Sequence, residues 1–60
     1  MYYVLIIDNG KTILSKNKKK LYERIGEDGA LDGTAEDIET YMAYNNGIEG
    51  YTILECDEII

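Results

Sequence analysis

The dipeptide Asn9-Gly10, set between the apolar runs Tyr2-Tyr-Val-Leu-Ile-Ile7 and Thr12-Ile-Leu14, constrains this chain more than any other feature. Two such runs joined by Asn-Gly predict an antiparallel hairpin. A type I′ turn needs positive φ at both central residues, and these two residue types accept it. The hairpin is predicted over residues 1–16, with strands at about 1–8 and 11–16. Its first run is β-branched and aromatic and apolar at both parities, the pattern of a strand covered on both faces. With 60 residues, the chain has material for one domain at most. A chain of this size buries only about 60% of the surface its unfolded form exposes. Small domains compensate with disulfides, metals or oligomerisation. Cys56 is the single cysteine, so no disulfide forms within the chain, and a lone thiol fits a reducing compartment. The first apolar run is too short to span a membrane and has no basic flank of the signal-peptide kind. The expectation is a cytoplasmic, self-associated protein with no membrane attachment.

Residues 17–26 read as a short helix. Asn17 caps it, Leu21 and Ile25 lie one turn apart, and Gly26 stands where a C′ glycine belongs. Residues 26–33 form an acidic, glycine-rich loop. A second helix is predicted over 34–46. Thr34 and Asp37 make a variant capping box, Glu36, Asp37 and Glu39 suit a helix N-terminus, and Asn45-Asn46-Gly47 ends it. Ala35, Ile38 and Met42 fall on its buried face, with Tyr41 at the edge and Asp37, Thr40 and Tyr44 opposite. Residues 51–56 form a third strand, in which Cys56 reads as a small core residue. The fold class is α+β in the order β-β-α-α-β. It has a three-stranded sheet with the first strand central and both short helices on one face. No material remains to cover the other face.

The charges are unevenly laid out. Residues 1–26 hold six cations and two anions, 6 − 2 = +4, and residues 27–60 hold ten anions and no cation, −10, which sum to the net −6. Asymmetry of this kind points to charged partners. The plainer reading, a solvated surface that keeps a tiny protein dispersed, does not account for the absence of Lys and Arg from the last 34 residues.

Catalysis finds little support. There is no histidine to act as a base near neutral pH. Ser15 is the only serine, with nothing to activate it. The neighbours Glu55, Asp57 and Glu58 raise the pKa expected of Cys56 and blunt it as a nucleophile. The chain reads as a non-enzyme without a cofactor. One segment, Asp28-Gly-Ala-Leu-Asp32-Gly33-Thr-Ala-Glu36-Asp-Ile-Glu39, resembles a calcium-binding EF-hand loop, with Asp28, Asp32 and Glu39 as candidate ligands. It departs from that pattern at Ala30, where an oxygen ligand is needed, and at Ala35, and there is only one such loop. An acidic interhelical loop ahead of a capped helix is the preferred reading.

Two surfaces compete for a binding role. The basic stretch Lys16, Lys18, Lys19, Lys20 and Arg24 suits phosphates, but ten anions elsewhere repel a polyanion. The acidic half, Glu36, Asp37, Glu39, Glu49, Glu55, Asp57 and Glu58, can present carboxylates at intervals like phosphates and fill a basic groove on another protein. Tyr44 is grouped with it, since tyrosine supplies contact area at low entropic cost. The third arrangement pairs the two halves, within the molecule or across a dimer.

Three stretches together carry a resemblance. They are the start Met1-Tyr-Tyr-Val with Asp8-Asn-Gly-Lys11, the helix opening Asp32-Gly-Thr-Ala-Glu-Asp-Ile-Glu39, and the closing Gly50-Tyr-Thr-Ile-Leu54. In style the chain resembles short accessory proteins of phages and mobile elements of Gram-positive bacteria. That resemblance implies an inhibitor or modulator of a host protein, some such proteins acting as DNA mimics. The cationic first helix departs from the uniformly acidic pattern of a DNA mimic. The alternative function is a small nucleic-acid-associated regulator working through Lys16–Arg24.

Overall fold

The computed structural model describes all 60 residues. The elements are β1 (Tyr2–Ile7), β2 (Thr12–Ser15), α1 (Lys18–Glu27), α2 (Ala35–Asn45) and β3 (Tyr51–Cys56). The sheet order is β2-β1-β3 with both pairings antiparallel, so the expected β-β-α-α-β architecture and central first strand are present. No helix is long and apolar enough to cross a membrane.

The hairpin turn differs from the expected two-residue type. Gly10 takes φ +92° and Asn9 stays at negative φ. The Ile7 N–H donates to the Lys11 carbonyl at 2.9 Å, and the Gly10 N–H donates to the Ile7 carbonyl at 2.9 Å. The loop is therefore Asp8-Asn9-Gly10, a type I turn followed by one left-handed residue. Asn9 Oδ1 accepts from the Lys11 N–H at 2.9 Å and holds the turn. The extra loop residue moves the register by one, so Ile13 pairs with Leu5 and Leu14 with Val4. A two-residue loop would have paired Leu14 with Leu5. A one-residue slip exchanges the faces of a strand, and adjacent Ile13 and Leu14 are equally apolar, so β2 itself does not discriminate.

One face of the sheet is covered. Leu5 and Ile7 of β1 pack with Leu21, Tyr22, Ile25, Ala35 and Ile38 to form the buried core. α1 lies on β1 and β2, and α2 packs on α1. Val4, Ile6, Leu14 and Leu54 share the opposite face, and no helix covers them.

Both helix starts match the sequence. Asn17 Oδ1 accepts from the Lys19 N–H at 3.0 Å. Thr34 Oγ1 accepts from the Asp37 N–H at 3.2 Å while Asp37 Oδ2 accepts from the Thr34 N–H at 3.0 Å, closing the capping box. Asn46 ends α2 in the left-handed region at φ 55°.

The end of α1 corrects the role given to Gly26, which lies inside the helix rather than beyond it. Gly29, at φ +79°, is the left-handed residue. Its N–H donates to the Gly26 carbonyl at 3.0 Å and the Ala30 N–H to the Ile25 carbonyl at 3.3 Å, a Schellman closure. Gly26 instead marks a close approach of the helices, since a Cβ there would stand 3.1 Å from Ile38 Cδ1. Cys56 is also corrected. It pairs with Tyr2 on the uncovered face, outside the core, and its Sγ–H donates to the Glu58 carbonyl at 3.0 Å.

Candidate functional site

A concavity lies between α2 and β3. Because α2 leans on α1 rather than on the sheet, the edge strand β3 is not closed over, and a groove of about 500 Å³ remains. Its apolar lining comes from Tyr22, Met42, Ala43, Tyr51 and Ile53. These positions follow from local periodicity. Tyr51 and Ile53 share the core-facing parity of β3, and Met42, Ala43 and Asn46 follow Glu39 along one side of α2.

Polar groups gather at one end, where α2 begins and β3 finishes. Glu39 and Glu55 line the groove there with Lys18 between the two elements. The Lys18 ammonium sits 5.8 Å from the ring centroids of both Tyr3 and Tyr22. Burial lowers its pKa, but Tyr22 beside it, then Glu55 and Glu39, outweigh that and hold it above the ordinary lysine value. One ammonium thus lies near two carboxylates at this end, with neither within ion-pair distance of it.

The structure divides the acidic set. Glu39 and Glu55 converge on the groove, and Glu36 lies one turn before Glu39 on α2. Asp37 is occupied in the capping box, and Tyr44, 86% exposed, points away with it. Glu49 sits in the turn before β3, and Asp57 and Glu58 run past its end. The only ion pair in the molecule is Arg24–Asp28, at 3.1 Å. It is the one ion pair that joins the basic and acidic halves within the chain, and Glu36, Glu39, Glu49, Glu55, Asp57 and Glu58 form none.

The basic set does not share one surface. Lys16 lies over the Tyr2 ring, on the uncovered sheet face, whereas Lys18 lies over Tyr3 and Tyr22 on the helix side. Lys19 borders a shallow depression beside Glu23 and Glu27. Arg24 is engaged with Asp28, and only Lys20 is free of such neighbours. The calcium-loop candidates are likewise not assembled. Asp28 accepts from Arg24 Nε and, at 3.5 Å, from the Tyr51 hydroxyl, Glu39 faces the groove, and no group of three or more carboxylates or thiols is placed to hold a metal ion.

Sequence reasoning did not single out Met42, Ala43 and Ile53 as site residues, and it assigned Lys18, with Tyr22 nearby, to the basic patch. The available signal was the four-residue spacing of Lys18 with Tyr22 and of Glu39 with Ala43, which sets each pair on one side of its helix.

No protein-family model, curated protein or solved structure matches this chain.

Proposed function

We propose that the chain is a protein-binding module whose α2–β3 groove receives a cationic, partly apolar segment of a host protein, thereby occupying a basic surface of that partner and inhibiting or modulating it. The observation that carries this reading is the groove itself. It has an apolar floor, an unpaired sheet edge alongside, and Glu39 and Glu55 at one end with more carboxylate than the single ammonium of Lys18 balances. Extended segments add to free sheet edges through main-chain hydrogen bonds, while side-chain pockets select among them. Carboxylates at the rim steer a basic partner and fix its register. The dispersal of Lys16, Lys18, Lys19, Lys20 and Arg24 supports this over the nucleic-acid reading.

The test is amide chemical-shift mapping by NMR with two labelled peptides, one alternating Lys and Ile, the other alternating Glu and Ile. The cationic peptide is expected to shift Glu39, Met42, Ala43, Ile53 and Glu55 and to bind more tightly than the acidic one. Glu39→Lys with Glu55→Lys is expected to weaken it at least about tenfold, the loss of one to two charge-assisted contacts. Equal binding of both peptides, or shifts confined to other surfaces, would refute the assignment.

A further inference from the structure

We infer that the uncovered sheet face binds the same face of a second copy of this chain, with the two-fold axis running along the strands. The pairing of β1 with both neighbours arranges this face in rows. Leu14, Val4 and Leu54 form the middle row, which is apolar throughout, and Thr12, Ile6 and Thr52 form the next. Leu14 is 54% exposed, Leu54 50% and Ile6 37%, so the chain by itself leaves the row in water. Both helices are on the other face.

Charge selects the partner and the axis. At one end of the face Lys16 stands beyond β2, its ammonium 5.5 Å from the Tyr2 ring centroid. At the same end, beyond Cys56 of β3, lie Asp57 and Glu58, with no ion pair of their own. A two-fold axis along the strands lays β2 of one copy over β3 of the other. Leu14 then meets Leu54 of the partner, Val4 meets its own copy near the axis, and Lys16 meets the partner's Asp57 and Glu58. An axis across the strands would instead lay β2 over β2 and leave both charge sets unmatched. A foreign protein need not match this pattern, but a second copy carries the complement by construction. Three strands about 4.8 Å apart present on the order of 500 Å² per copy, so the pair reaches about 1,000 Å² in total, the low end of specific interfaces. The dimer is therefore expected to be reversible, dissociating in the micromolar range. The helix-side groove stays open in it, so its fate is separate from that of the peptide-binding reading.

Sedimentation equilibrium across micromolar to millimolar concentrations, with disulfide trapping, tests this. The full chain is expected to be dimeric at the top of that range. Leu14→Lys and Leu54→Lys alter half-exposed side chains, so both are expected to keep the wild-type circular dichroism and to be monomeric throughout. In a Cys56→Ser background, a mixture of Leu14→Cys and Leu54→Cys chains, one carrying a mass tag, is expected to cross-link between the two variants in air. Lys16→Glu is expected to weaken the dimer at least about tenfold, and Asp57→Lys with Glu58→Lys in the same chain to restore it, as charge reversal across a contact requires. A monomeric wild type at millimolar concentration overturns the inference. So does a dimer that survives both leucine changes. Leu14→Cys chains that cross-link only with one another overturn the proposed axis.

Discussion

Replacing Gly26 with alanine tests a close contact between the two helices. Gly26 lies inside α1, where alanine is favoured over glycine by about 1 kcal/mol. The new Cβ would stand 3.1 Å from Ile38 Cδ1, so close that the isoleucine must give way for it to fit. Ile38 is fully buried, so its terminal methyl has little room to withdraw. Overpacking of this kind costs about 1–3 kcal/mol, which outweighs the helix gain and leaves Gly26→Ala destabilised by about 1 kcal/mol. Ile38→Val alone removes the opposing Cδ1 and opens a small cavity, also at about 1 kcal/mol. The double variant exchanges one methyl for another in the same space and keeps the helix gain. Its stability is expected to return to within about 0.5 kcal/mol of wild type, a favourable coupling of about 1.5–2 kcal/mol between touching residues. Urea unfolding followed by circular dichroism at one fixed protein concentration measures this. Each kilocalorie also moves the thermal midpoint of a domain this small by about 4–8 °C. If the two losses simply add, the helices do not meet at Gly26 and Ile38.

Two further outcomes follow from named contacts. Thr34→Ala removes the hydroxyl that accepts from the Asp37 N–H and is expected to cost about 1 kcal/mol. Combining it with Asp37→Ala is expected to add less than the sum of the single losses, since both belong to one capping box; full additivity in urea unfolding would contradict that box. The second concerns Lys18, whose folded-state pKa lies above the ordinary lysine value of 10.5, so its contribution is fully present below that value and fades as pH rises through the folded pKa. The stability difference between wild type and Lys18→Gln should stay flat from neutral pH toward 10.5 and shrink above it, and a difference that widens there would place Lys18 away from Tyr22, Glu55 and Glu39.

The element order, the central strand, both N-caps and the end of α2 were legible in the sequence, and the caps were so because each depends on residues close together in the chain. Thr34 and Asp37 announce the start of α2, and Asn46-Gly47 its end, through hydrogen bonds that span three to five residues. The apolar character of β1 at both parities marked it as the middle of the sheet. The turn was half legible. Asn9-Gly10 signalled a hairpin, but a single added loop residue changes which of Ile13 and Leu14 faces the core, and both are equally apolar. Likewise Gly26 and Gly29 both fit a helix end by spacing, and only the approach of Ile38 from another helix separates their roles. The candidate site was divided in the same way. Lys18, Glu39 and Glu55 stood out as charges, but the sequence placed them in opposing patches. Their meeting depends on how far α2 leans from β3, which side chains remote in sequence determine. Local propensity and periodicity thus specified the elements of this protein and the identity of its charged residues. The tertiary structure alone decided the register of β2 and the groove between α2 and β3, because each is set by contacts between residues far apart in the chain.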